Sequence, residues 1–250
     1  MKGIILLGGN GTRLRPLTYL LPKSLLPVYD KPLALYPLSV FLRGGVDEVV
    51  VVTAEEQLKR FREFLGDGSS LGIKLNYVTQ EQPLGIAHAI GMAEPYCKGG
   101  DIAVALGDNI FEDNLTPAID AFRKQFFKQK EGKFSGAKLI LKHEDDPRRF
   151  GVAELDGDRV VNIVEKPENP TSNWITAGFY MFDKRAFDII RGLEPSTRGE
   201  LEVTDLANFY VNEGTATHEK LKGNWFDVGT IDSRHRASKY ISKNPKNFEL

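Results

Sequence analysis

The sequence predicts an α/β fold: a Rossmann-like, mainly parallel sheet flanked by helices, with a smaller β-rich part. Three observations carry this. The chain opens on a short apolar run, Gly3 to Leu7, followed at once by glycines, as expected of a strand buried on both faces. Apolar runs and amphipathic segments then alternate through the first half, the pattern of successive βαβ units. From Gly136 the segments shorten into strands divided by polar turns such as Asp156-Gly157-Asp158.

Taken in order, Leu33 to Leu42 reads as a helix stopped by Gly44-Gly45, and Val49 to Thr53 as the next strand. Glu55 to Leu65 is helical by periodicity and charge. Ile73 to Thr79 is a third strand, and a helix runs from about Ile86 to Glu94. Asp101 to Leu106 is an apolar strand ending in Gly107-Asp108-Asn109. Short strands follow at Ala137 to Lys142, Val152 to Leu155, Val160 to Val164 and Gly178 to Phe182. A short aromatic run, Asn224 to Val228, leads into a last helix, Ile231 to Ser242. In such a sheet the ligand crevice lies beyond the carboxyl ends of the strands.

With 250 residues, the chain suits one large domain. A formal net charge of -1 gives no support to nucleic-acid binding by bulk charge, so a small-molecule partner is expected. Cys97 is the single cysteine; it asks for no oxidising compartment, and a cytoplasmic setting is expected. No apolar run approaches a membrane span, so no membrane partner is expected.

Positive charge concentrates at the start. Residues 1 to 31 carry Lys2, Arg13, Arg15, Lys23 and Lys31 against the single acid Asp30. Gly8, Gly9 and Gly11 allow backbone N–H groups to approach a phosphate closely. A P-loop would place Lys and then Ser or Thr directly after its last glycine, whereas this loop continues Gly11-Thr12-Arg13. A dinucleotide fold would run straight into a helix, which Pro16, Pro22 and Pro27 prevent. What remains is an extended basic loop suited to a triphosphate, with Arg13 and Lys23 as candidate clamps.

The stretches GGNGTRLRPLT and PKSLLPVYDKP resemble the N-terminal motif of the sugar nucleotidyltransferases, the nucleoside-diphosphate-sugar pyrophosphorylases. Leu7 stands where that family usually has a small residue. The likeness extends along nearly the whole chain. It implies a nucleotide-binding part over about residues 1–135 and a sugar-binding part over about 136–230, within a single domain 1–250. It implies nucleotide contacts from Leu6, Gly8, Gly9, Gly11, Thr12 and Arg13, and base recognition at Gln80, Pro83 and Gly85. LGDNIF is similar to the family's metal-binding strand end, which makes Asp108 a ligand of Mg²⁺ and places Asn109 near the sugar. RFGV and VEKP supply Phe150, Gly151, Glu165 and Lys166, and Thr176, Gly178 and Tyr180 form a pocket wall. WFDVG brings a second ligand, Asp227. RGELEVTD is expected to be a loop and a capped helix start.

Read without the resemblance, these residues have plainer roles. The segment 80–85 is a polar connection, Asp108 a turn cap, Glu165 and Lys166 an exposed ion pair, and Asp227 a cap of the last helix. His88 reads as a packing or capping residue. The resemblance implies that a sugar 1-phosphate attacks the α-phosphorus of a nucleoside triphosphate, with Arg13, Lys23, Asp108 and Lys166 carrying the chemistry. dTTP and glucose 1-phosphate are the expected pair. UTP, or another sugar 1-phosphate, is the alternative, as is a non-catalytic nucleotide-sugar sensor; a dehydrogenase is disfavoured by the prolines. A homo-oligomer is expected. The match ends with little C-terminal extension, so no allosteric site of that kind is expected.

Overall fold

The computed structural model describes residues 1–125, 127–129 and 132–249. Strand β1 (Lys2–Leu6) leads through the basic loop and a small hairpin, β2 (Pro27–Val28) and β3 (Lys31–Pro32), into helix α1 (Leu35–Arg43). Then follow β4 (Glu48–Ala54), α2 (Glu55–Leu65), β5 (Lys74–Gln80), α3 (Ile86–Met92) and α4 (Glu94–Cys97). Next come β6 (Ile102–Leu106), β7 (Asn109–Phe111), α5 (Thr116–Lys124), β8 (Phe127–Gln129) and β9 (Gly132–Phe134). The later half holds β10 (Ala137–His143), β11 (Gly151–Asp156), β12 (Arg159–Glu165), β13 (Trp174–Phe182), α6 (Ala186–Arg191) and α7 (Val203–Asn212). The chain closes with β14 (Ala216–Lys220), β15 (Trp225–Asp227) and α8 (Ile231–Lys243).

One sheet organises the molecule, in the order β12-β11-β13-β6-β1-β4-β5, with β10 pairing β13 and β14 beside it. β6, β1, β4 and β5 are mutually parallel, and β13 enters antiparallel to β6, with Tyr180 opposite Val104. Alternation along each strand sends side chains to opposite faces. Ile4, Val50 and Val52 pack beneath α3 with Ala87 and Ile90. Ile5, Val49 and Val51 pack on the other face with Leu38, Phe41, Phe61 and Ile119 from α1, α2 and α5. The run of valines in β4 is therefore buried on both faces, which a β-branched sequence suits.

Several boundaries differ from the sequence reading. The helix expected to run to Glu94 stops at Met92, and a separate short helix starts at Glu94 with Pro95 in its first turn, the position proline tolerates. The strand expected from Gly178 begins at Trp174. The start of α7 has no side-chain cap, because its N-cap residue is Glu202 and Ser196 donates to the Glu202 carboxylate at 2.8 Å. Leu7, the departure from the family pattern, is buried, and a Cβ on Gly107 would meet its Cδ2 at 2.5 Å. Glycine at 107 thus makes room for the larger side chain at 7.

Candidate active site

The carboxyl ends of β1, β5 and β6 form the floor of two adjoining cavities, both walled by Ile86, Leu106 and Asp108. The smaller, about 250 Å³, is lined by Leu6, Gly8, Gly9, Lys23, Gln80, Pro83 and Gly85. The larger, about 450 Å³, brings together Arg13, Asn109, Phe150, Gly151, Glu165, Lys166, Thr176, Gly178, Tyr180 and Asp227. Two of the residues singled out from the sequence line neither. Thr12 is exposed at the start of a short 3₁₀ turn. Gly11 adopts φ +56, and a Cβ there would meet Thr18 and Lys23.

Asp108 and Asp227 come from distant parts of the chain but are neighbours across a two-stranded ladder. β7 and β15 pair antiparallel, with Asn109 opposite Asp227, and the Val228 N–H donates to the Asp108 carbonyl at 2.8 Å. Their environments pull the two carboxyls in opposite directions. Burial pushes Asp108 up, but the Lys23 ammonium 2.6 Å away, with Arg13 farther off, outweighs burial and holds it below its ordinary value. Burial and the Asp108 charge push Asp227 up, and Arg149, Lys23 and Arg13 only partly offset them. Arg149 lies 3.0 Å from the Asp227 carboxylate. Asp227 does not cap α8; that work is done by Thr230 and Ser233, whose side chains exchange hydrogen bonds with each other's backbone N–H groups.

Two neighbouring carboxylates that repel one another offer the hard oxygen donors a divalent cation takes. Among the described residues no group of three or more His, Cys, Asp and Glu is arranged to hold a metal. A cation bound by this pair would therefore complete its shell with water and substrate oxygens.

Lys23 is less exposed than its loop suggested. Its side chain is 17% accessible because it folds onto Asp108, 85 residues along the chain. Arg13, by contrast, is exposed, and its guanidinium passes close above Gly229, where a Cβ would sit 2.9 Å from it. In the larger cavity Lys166 has φ +44, a left-handed conformation uncommon outside glycine. Its N–H donates to the Phe150 carbonyl at 3.0 Å, and its ammonium lies 3.2 Å from Glu165. Gly178 adopts φ +75, and a Cβ there would stand 2.6 Å from the Asn109 amide nitrogen. Asn109 is buried with its Oδ1 unpartnered, while its Nδ2 donates to Asp108 at 3.1 Å. Tyr180 is buried with its hydroxyl donating to Thr176 at 3.1 Å, and burial pushes its phenol well above the ordinary value.

Sequence reasoning passed over Arg148, Arg149 and Trp225, which also line the larger cavity, and Glu200, which lines the smaller. Arg149 opens RFGV, Trp225 opens WFDVG and Glu200 lies in RGELEVTD, so these three stood inside a stretch already noticed, whereas Arg148 lies one residue before RFGV. Arg149 went unassigned because its partner Asp227 is 78 positions away.

A family model for nucleotidyl transferases matches residues 2–244. The chain belongs to that family. A glucose-1-phosphate thymidylyltransferase of Neisseria gonorrhoeae is 42% identical over 96% of this chain and 82% of its own length. A protein of the same name from Mycolicibacterium smegmatis is 40% identical over the same shares. Among solved structures, a Bacillus anthracis protein described as a glucose-1-phosphate thymidylyltransferase, crystallised with sucrose, superposes with a TM-score of 0.89 at 38% identity, covering 96% of this chain and 94% of that one. A UDP-glucose pyrophosphorylase bound to UDP-glucose shares the fold with a TM-score of 0.82 at 23% identity, over 97% of this nucleotidyl transferase and 98% of that chain. Nucleotidyl transferases of this kind generally work with a divalent metal.

Proposed function

We infer that the chain transfers thymidylate from dTTP to glucose 1-phosphate, giving dTDP-glucose and pyrophosphate. The observation that carries this reading is the pair of cavities meeting at Asp108, one walled by the glycine loop and Gln80, the other by Glu165 and Lys166. The relatives' names supply the substrates.

On this reading the smaller cavity takes the base and sugar of the nucleotide, with Gly8 and Gly9 against its backbone and Gln80 at the base. The larger cavity takes the glucose. Asn109, whose buried Oδ1 lacks a partner, and Glu165 accept from its hydroxyls, while Thr176, Gly178 and Tyr180 shape the wall. Lys166 and Arg149 hold the sugar phosphate. One of its oxygens attacks the α-phosphorus of dTTP; the new P–O bond forms as the bond from that phosphorus to the bridging oxygen breaks, and pyrophosphate carries the electron pair away. The attacking oxygen is already anionic, so no general base is required. Catalysis rests on in-line placement and on positive charge where negative charge builds up. Arg13 and Lys23 supply that charge on the triphosphate side. Asp108 and Asp227 would hold Mg²⁺, which when bound neutralises phosphate charge.

The test measures pyrophosphate release across a panel of nucleoside triphosphates against a panel of sugar 1-phosphates. The highest kcat/KM is expected for dTTP with glucose 1-phosphate. Binding without release would identify a sensor instead, and a preference for UTP or another sugar phosphate would move the assignment within the family.

A further inference from the structure

We propose that His88 is a positioning residue that fixes which end of the Gln80 amide faces the base, making the smaller cavity select a base with an N–H on its pairing edge. The proposal rests on the reading of that cavity as the base site.

Gln80 ends β5, and His88 lies in the middle of α3. The Gln80 Nε2 is 2.7 Å from Nδ1 of His88 and 3.4 Å from the Gly85 carbonyl oxygen. A side-chain amide has one donating and one accepting end of nearly equal shape, so its partners decide which way it points. The Gly85 carbonyl can only accept. One of its lone pairs takes the Ala89 N–H at 3.2 Å, and the other is left for Gln80. The NH₂ end of the amide therefore lies on this side, and the imidazole nitrogen facing it must accept as well. The ring proton then sits on Nε2, the nitrogen turned away from Gln80.

The frame behind this pair is stiff. Gly85 has φ +106, and a Cβ there would sit 2.4 Å from the Leu201 carbonyl oxygen. Leu201 donates its N–H to the Leu84 carbonyl at 2.8 Å and accepts from the Ala87 N–H at 3.0 Å. The carbonyl that shares the amide's NH₂ end with His88 is thus held from both sides by a loop on the far wall.

The orientation has a chemical consequence. Among the described residues Gln80 Oε1 has no hydrogen-bond partner, so it is the end left to accept. Thymine and uracil carry an N–H at position 3, which suits an acceptor. Cytosine carries a lone pair there, which opposes one. With His88 and Gly85 both accepting, Gln80 cannot turn over to serve cytosine without losing a bond, and a site with an unmatched polar group discriminates strongly.

A packing role for His88 would be felt as stability, with base choice untouched. The experiment compares kcat/KM for dTTP and CTP at saturating glucose 1-phosphate in the full chain, in His88→Ala, His88→Asn and Gln80→Ala. In H88A only the longer contact to the Gly85 carbonyl, 3.4 Å, still holds the amide, so it turns over more readily, and the dTTP:CTP ratio is expected to fall about tenfold, mainly through KM for dTTP. In H88N an amide oxygen replaces Nδ1 at similar reach, and the ratio is expected to stay within about threefold of the parent. Should H88A fail to fold, His88→Lys, which offers only donors, is expected to lower the ratio at least as far. An unchanged ratio in H88A or H88K, or an equal fall in H88A and H88N, overturns the proposal. If Q80A also leaves the ratio unchanged, the base-site reading falls with it; if Q80A lowers the ratio and H88A does not, only the role of His88 is lost.

Discussion

The guanidinium of Arg149 lies 3.0 Å from the carboxylate of Asp227, so a cation drawn to Asp227 meets a positive charge already in place. The pair is open to solvent on the arginine side, where the side chain is 49% accessible, and is correspondingly weak. Arg149→Ala is expected to lower the half-saturating Mg²⁺ concentration about two- to threefold, because a competitor leaves. It should also raise KM for glucose 1-phosphate about tenfold, because a phosphate partner leaves with it. Initial rates titrated with Mg²⁺ at fixed substrates read both effects. A higher Mg²⁺ requirement would show that Arg149 supports the metal site.

Lys23→Ala is expected to cost on the order of 10²-fold in kcat. Unlike a residue on an open loop, it should also destabilise the fold by about 1–3 kcal/mol, because Asp108 is left largely buried without its ammonium partner. A Lys23→Ala, Asp108→Ala double variant should regain much of the stability and none of the activity. Chemical denaturation of the parent and the two variants decides the matter, and a K23A protein as stable as the parent contradicts the pairing.

Asp227→Asn and Thr230→Ala separate two roles that lie three residues apart. D227N relieves a carboxylate that burial and Asp108 disfavour, so its melting temperature should match or exceed the parent's while far more Mg²⁺ is needed for turnover. T230A removes the side chain that accepts the Ser233 N–H and should cost about 1 kcal/mol with an ordinary Mg²⁺ response. If D227N melts early and responds normally to Mg²⁺, the two-carboxylate site is wrong.

His218, on β14, gives a pH dependence of stability. Burial and the Lys220 and Lys138 charges hold its imidazole below the ordinary value, with Asp158 and Glu219 pulling the other way. A depressed folded value means that the neutral ring is favoured in the folded state. Its contribution is complete above the ordinary imidazole value near 6.5 and is lost as the pH falls through the lower folded value. The melting temperature should drop between about pH 7.5 and 5.5, and His218→Asn should flatten that drop. An unaltered slope in the variant would place the effect at other groups.

Local signals read well from the sequence. Glu55 to Leu65 forms a helix over the residues its charge and periodicity marked, because one apolar face carrying Phe61 and Leu65 settles it without help from afar. β14 was missed for the opposite reason. Its Ala-Thr-His-Glu-Lys sequence has no apolar alternation, and it exists because it pairs in register with β10, Leu139 opposite His218. The site divides the same way. The glycine loop, the strand-end aspartate and the cavity wall were legible as motifs, whereas the burial of Lys23, the partner of Arg149 and the contact of His88 with Gln80 depend on distances that no single stretch encodes.

The place of β13 beside β6 bears on how such an enzyme can be made and remade. Until residues 174–182 leave the ribosome, a nascent chain carries the apolar Ile-Ala-Val-Ala-Leu of β6 with one side unpaired, and an exposed strand edge of that kind invites association with other chains. A fragment that stops before β13 is therefore expected to associate with other chains through β6. Recombination between relatives that cut the chain between β6 and β13 would have to preserve the antiparallel seam from Ile102–Phe182 to Ala105–Phe179, which binds the inheritance of the cavity walled by Gln80 to that of the cavity walled by Tyr180.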